Sequence, residues 1–201
     1  MSLIALAFPC RRLGDGKGNP MSQNALDQFI AQVRASWGPL TTEVVAQCRS
    51  HLEGLLQAAP SEPWLAALLR DRPASQELYR DPDHGFVLMA HTEPQGLYRR
   101  PHDHGRSWVL YGVQGGDVEM GSYARTQDAQ GRVRLVKRDA TLVRPGAALT
   151  YLPGDIHDTL CVTGPALLFR FTERDLARED KQEGKITRFV EQDGVWTIDA
   201  P

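Results

Sequence analysis

The chain has 201 residues, 41% of them hydrophobic, and sets 23 Lys and Arg against 25 Asp and Glu for a formal net charge of −2. That length suits one barrel domain of roughly 100 to 130 residues with a helical appendage, and excludes two full domains. The scattered basic residues exclude a nucleic-acid surface, and no apolar run approaches the roughly 18 residues needed to cross a membrane.

The opening Ser2 to Pro9 lacks a basic start and a cleavage site, so it does not read as a secretion signal. Residues 1 to 21 carry Gly14, Gly16, Gly18 and Pro20 and read as a loosely held arm. From Ser22 as N-cap, Ala25, Leu26, Phe29, Ile30 and Val33 recur at helical spacing. A second amphipathic stretch after Pro39 carries Val44, Val45, Cys48, Leu52, Leu55 and Leu56, and a short third, Trp64 to Leu69, follows Pro63. These helices are expected to cover one side of a barrel and bury its edge. Residues 1–74 therefore form the arm and helical segment, and residues 75–201 the barrel, within one structural domain.

From Gly85 the pattern changes to short strands broken by Gly, Pro and Asp. The expected strands are Phe86 to His91, Ser107 to Val113, Asp117 to Tyr123, Val133 to Lys137, Ala148 to Leu152, Asp158 to Val162 and Ala166 to Phe171. Gly115-Gly116 and Gln130-Gly131 fall where turns are expected, and Asp193-Gly194 is expected to join Ile186–Glu191 to Val195–Ile198 as a hairpin. Cys10, Cys48 and Cys161 are odd in number and unpatterned, which fits a reducing compartment, and a cytoplasmic location is the expectation.

Six histidines are present, and three of them stand out. His102 and His104 are separated by one residue, so on a strand both imidazoles would point to one face. His157 follows about fifty residues later in the turn Pro153-Gly154-Asp155-Ile156-His157. A third imidazole from a neighbouring strand would complete a facial metal site with open positions. The stretch Gly105 to Val109 offers no carboxylate, so the ligand set is three neutral rings. The full charge of a divalent ion would then attract an anionic, soft ligand such as a thiolate.

The glycine framing of the histidine pair from Gly96, with Gly146 and the Pro-Gly turn before His157, resembles the two-part signature of the cupin superfamily, also termed RmlC-like. The resemblance implies a mainly β fold, a double-stranded β-helix or jelly-roll barrel with its metal inside and N-terminal α-helices. Pro101-His102-Asp103-His104 and the helical N-terminal segment look most like the cysteine dioxygenase group of thiol dioxygenases, over roughly residues 75 to 175. Membership would imply Fe(II) held by His102, His104 and His157, a small thiol and dioxygen as partners, and a sulfinate product. Zn, Ni or Mn could also occupy such a site. Arg80 resembles the position of the family's carboxylate-binding arginine, its ordinary alternative being a surface residue paired with Asp81 or Asp83. Arg106 is the rival, and Tyr111 and Trp108 are expected to line the cavity or pack its core.

Two features depart from the family. Its late-strand serine, histidine and tyrosine correspond here to Leu168, Arg170 and Thr172, and no cysteine lies near Val109 for a thioether crosslink. Arg170, if inward, would offer a substrate anion a partner. Asp103, Asp155 and Asp158 flank the histidines, and alternation turns Asp103 and Asp158 away from the metal. His51 and His84 read as ordinary helix and turn residues, while His91 and Glu93 share a strand face that could supply a proton relay or an extra ligand. Two alternatives remain: a three-histidine zinc hydrolase or lyase, and a non-catalytic cupin that binds a small anion. A monomer and a homodimer are equally compatible with the sequence.

Overall fold

The computed structural model describes residues 24–198. The expected arm, the Ser22 cap and Cys10 lie outside the described residues. In chain order the elements are α1 (Ala25–Ser36), α2 (Thr42–Leu55), α3 (Pro63–Asp71), β1 (Gln76–Arg80), β2 (Val87–Glu93), β3 (Tyr98–His102), β4 (Val109–Gln127), β5 (Val133–Val143), β6 (Ala148–Tyr151), β7 (Ile156–Thr172), α4 (Leu176–Lys181), β8 (Phe189–Gln192) and β9 (Val195–Ile198).

The three N-terminal helices begin where local chemistry dictates. Asn24 accepts from Asp27 N at 2.9 Å and Thr41 from Val44 N at 3.2 Å, satisfying amide groups that the first helical turn leaves free. α3 starts on Pro63, whose missing N–H costs nothing there. Phe29 and Val33 on α1, and Val45, Cys48, Leu52 and Leu55 on α2, are the buried residues of their helices. They form one core with Phe86, Leu88, Ala90, Trp108, Leu110, Leu167, Phe169 and Phe171 from the sheet.

The strands form a jelly-roll barrel. The hydrogen-bonded order is β1-β2-β7-β4-β5, with β3 added to β7 and β6 to β4, and β8 and β9 form a separate hairpin. All pairings are antiparallel. β4 and β7 have 19 and 17 residues, so each runs through both layers of the barrel. The first half of β4 pairs with β6 and with the end of β7, and its second half with β5 and the start of β7.

Alternation along these strands separates a helix-facing core from an inner one. Leu167, Phe169 and Phe171 face the helices, while Ala166 and Leu168 join Val109, Tyr111, Val113, Val118 and Met120 inside the barrel. Arg170 belongs by alternation to the inner set. The inner face of β7 thus carries a charged residue beyond Ala166 and Leu168, in addition to the polar His157 and Thr159 near its start.

Several expected boundaries are corrected. Gly115-Gly116 is not a turn: β4 continues through it with irregular register between Val113 and Val118. Gly116 has φ +76°, and a Cβ there would meet Thr163 O at 2.5 Å, so the two long strands approach each other closely at the bend. Asp158–Val162 and Ala166–Phe171 likewise merge into β7. Gly131 and the Asp193-Gly194 pair do sit in turns with positive φ, joining β4 to β5 and β8 to β9. β1, β3 and α4 are elements the hydrophobic pattern did not delimit.

Candidate metal centre

The three histidines converge, although not by the expected route. His102 closes β3, but the strand ends there and His104 lies in the following turn rather than on the same strand. Register supplies the third member, because His102 is the direct partner of His157 at the start of β7. One ligand nitrogen from each ring lies within 4.8 Å of the others. His104 Nε2 and His157 Nε2 are 3.3 Å apart. Two nitrogens each about 2.1 Å from a common ion, at right to tetrahedral angles, stand roughly 3.0–3.4 Å apart, so the donor set fits a divalent transition metal.

Electrostatics prepares the rings for that role. Burial lowers the affinity of all three for protons, and neighbouring charge adds to it: Arg188, Arg170 and Arg99 for His102, His102 and Arg170 for His104, and the other two histidines for His157. The rings are therefore neutral ligands at neutral pH. His102 Nδ1 donates to the Arg100 carbonyl at 2.8 Å, which leaves the lone pair on Nε2. Tyr151 stacks on His157 with ring centroids 3.9 Å apart and 25° between planes, fixing that imidazole from the β6 side.

The turn that holds His104 is clamped from two directions. Asp103 accepts from Gly105 N at 3.0 Å and Thr187 N at 2.8 Å, and its own N–H donates to the Thr187 carbonyl at 3.0 Å. Arg106 is bound to the buried Glu179 of α4 through its backbone N–H and Nε at 2.9 Å each and through Nη2 at 3.0 Å. Asp103 and Asp158 do turn away from the histidines, but they are buried rather than at the surface. Asp158 accepts from Gly121 N and Tyr98 Oη, both at 2.8 Å. Asp155 accepts from Leu152 N at 2.7 Å within the turn before β7.

The histidines open into a cavity of about 650 Å³, lined among others by His91, Glu93, Tyr111, Thr159, Leu168 and Arg170 and bordered by residues of α4 and of 186–190. Its size is ample for a small organic ligand. Tyr111 Oη lies 3.2 Å from His104 Nε2, and its hydroxyl also hydrogen-bonds the Arg170 side chain. Burial raises the Tyr111 pKa, so the phenol keeps its proton at neutral pH. Arg170 places a buried Nε in this cavity with no hydrogen-bond partner among the described residues.

Arg80 and Arg106 require correction. Both line a different cavity, of about 510 Å³, and neither borders the one containing the histidines. Arg80 lies on β1, at the end of the sheet, where Glu77 takes Nη2 at 2.6 Å and Asp175 takes Nη1 at 2.8 Å. Arg106 is spent on Glu179 and Glu183. Trp108 packs in the core between sheet and helices, not in the cavity. Tyr151, stacked on His157, and Thr159 and Arg99, which line the cavity, are site residues without a motif of their own. Only strand alternation from His157 to Thr159 carried a signal for any of them.

His51 and His84 stay outside the site, as does Cys161, a buried thiol whose Sγ meets the Glu93 carbonyl at 3.4 Å. Cys48 and Cys161 are both free. No helix among the described residues is long and apolar enough to cross a membrane.

No protein-family model and no curated protein matches the chain. Among solved structures it is similar to the cupin domain of Cnp3 from Schizosaccharomyces pombe, at 12% identity and a TM-score of 0.40, over 55% of this chain and 66% of that one. It is similar also to BH2720 from Bacillus halodurans, at 12% identity and a TM-score of 0.43, over 55% and 77% of the two chains. A mutant of Bacillus subtilis oxalate decarboxylase matches at 11% identity and a TM-score of 0.38, over 53% of this chain and 24% of that one. The jelly-roll architecture and the metal-competent histidine trio stand on the strand order and the ring geometry described above.

Proposed function

We propose that this chain is a cupin-type Fe(II) thiol dioxygenase acting on a small thiol that also bears a carboxylate. The observation that carries the reading is charge: three neutral imidazoles and an inward arginine with an unpartnered Nε border one cavity. A divalent ion held by neutral ligands keeps its full charge, and a guanidinium whose Nε is buried without a partner is stabilised by an anion. A ligand with two anionic ends answers both, its thiolate at the histidine centre and its carboxylate on Arg170.

His102, His104 and His157 would hold the metal, which when bound supplies the redox centre that couples a thiol to dioxygen. Arg170 would take the carboxylate in place of Arg80 and so fix the sulfur over the three rings. Tyr111, protonated and bonded to Arg170, orients the guanidinium and offers a hydroxyl beside His104. Leu168, Leu176, Ile186 and Phe189 line the same space with apolar side chains, which limits water at the reacting sulfur. Both oxygen atoms go to sulfur: RSH and O2 give RSO2H, sulfur losing four electrons and dioxygen gaining four, with no further reductant.

The test is oxygen uptake by anaerobically iron-loaded protein with cysteine, 3-mercaptopropionate and cysteamine, with mass detection of the product. Uptake matched by sulfinate is expected for a carboxylate-bearing thiol, with kcat/KM falling about 10- to 100-fold in Arg170→Met, the worth of a charged hydrogen bond. No uptake with any thiol despite stoichiometric iron would overturn the proposal.

A further inference from the structure

The metal centre and Arg170 account for the anionic end of a ligand, but the same cavity has a second polar wall. Glu93 and Thr159 are 3% and 2% exposed, and His91 is mostly buried. Glu93 Oε2, Thr159 Oγ1 and His91 Nε2 are each buried without a hydrogen-bond partner among the described residues, and all three residues line the cavity. Buried polar atoms are nearly always satisfied, so three orphans lining one cavity mark a place for a ligand group.

Topology brings the three together. His91 and Glu93 are two residues apart on β2, opposite Leu168 and Ala166, which face the barrel interior. Thr159 is two residues beyond His157 on β7, on the same face. Arg99 of β3 ties the wall across the seam: it is the register partner of Thr159, and its Nε donates to Glu93 Oε1 at 2.6 Å.

We infer that His91, Glu93 and Thr159 form a subsite for a primary ammonium group, so that the ligand of this cavity carries an amino group in addition to its anionic end. Only the anionic end rests on the function proposed above. The chemistry of the wall selects a donor. Glu93 is paired through one oxygen with Arg99 and leaves the other as an acceptor. The His91 ring hydrogen-bonds the backbone of Ala74 and is held neutral, its pKa lowered to about 3 by burial and then by Arg170 and Arg99, so Nε2 presents a lone pair. Thr159 Oγ1 accepts as well. An ammonium has three N–H donors for these three acceptors, whereas a second carboxylate would face Glu93 with no donor to give.

The experiment compares ligand pairs that differ by one amino group. Calorimetric titration of zinc-loaded protein, which is redox-inert, sets cysteine against 3-mercaptopropionate. Ligand-observed NMR on metal-free protein sets alanine against propionate. The expected result is binding tighter by about tenfold or more for the amino member of each pair, falling to within about threefold in Glu93→Gln and in the near-isosteric Thr159→Val. Equal affinity within both pairs in the wild-type protein overturns the subsite, and needs no variant to fold. An amino preference that persists while cysteine binds no more tightly than alanine to the zinc-loaded protein upholds the subsite and overturns the thiol reading instead.

Discussion

At the scale of single residues, the site depends on a turn that few side chains could enter. Gly105 follows His104 with φ +61°, and a Cβ there would stand 2.9 Å from Glu179 Oε1 and 3.0 Å from Lys185 Cβ. A left-handed conformation costs an ordinary residue about 1–2 kcal/mol. The collision would also push against the carboxylate that holds Arg106. Gly105→Ala is therefore expected to lower the stability of the metal-free protein by at least that amount and, by displacing His104, to weaken metal affinity by more than tenfold. Chemical denaturation and a competitive metal titration read the two effects separately; unchanged metal affinity in a destabilised variant would show that the turn does not position His104. The neighbouring arginines illustrate what residue identity alone conceals. Arg80, Arg106 and Arg170 are equivalent as letters, yet two are neutralised by Glu77, Asp175, Glu179 and Glu183, and the third faces inward with an unpartnered Nε. Glu77 is local to Arg80, but Asp175, Glu179 and Glu183 come from α4 and its flanks, about 70 to 95 residues away, and no local pattern announces them.

Between elements, one carboxylate ties α1 to the barrel beside the apolar core. Asp81, 2% exposed, follows β1 and accepts from His84 N at 2.7 Å, Asp83 N at 3.0 Å and Tyr79 Oη at 3.1 Å, and also from Arg34 of α1. Burial pushes its pKa up, but these donors outweigh burial and hold it below the usual value. A folded-state pKa below the unfolded one gives stability that is present above about pH 4 and is lost as pH falls through the folded value. Asp81→Asn is expected to cost about 1–3 kcal/mol at pH 7, with the gap to wild type shrinking below about pH 4, as read by urea denaturation across pH. A gap independent of pH would place the effect in shape rather than charge. The helices themselves were legible in the sequence, because Phe29 and Val33 and then Cys48, Leu52 and Leu55 recur at helical spacing. The long strands were not. Gly115, Gly116, Gly164 and Pro165 carry the composition of turns, and only the pairing of β4 with β7 shows both strands running on through them. α4 is a six-residue helix whose single buried residue is Glu179, so hydrophobic periodicity had nothing to report.

For the molecule as a whole, the histidine trio joins parts of the fold that are far apart in the chain. His102 ends β3, His104 sits in a turn held by α4 and by Thr187, and His157 opens β7, a strand paired with β2, β3 and β4. The trio was legible because a His-x-His pair and a Pro-Gly turn before a third histidine are local signals. That His102 and His157 are register partners is a property of the closed barrel. A ligand that binds only this assembled arrangement stabilises the folded state by about 2.7 kcal/mol at a free concentration 100 times its dissociation constant. For a chain of about this size each kcal/mol moves the melting temperature by roughly 2–4 °C. Anaerobic Fe(II), or zinc as a redox-inert substitute, is accordingly expected to raise the melting temperature of metal-stripped protein by about 5–10 °C in scanning calorimetry. His157→Ala removes the ring whose Nε2 lies 3.3 Å from that of His104, and should abolish the shift together with stoichiometric binding. A shift that survives His157→Ala would locate the ion away from the three imidazoles, and the thiol chemistry proposed for them would fall with it.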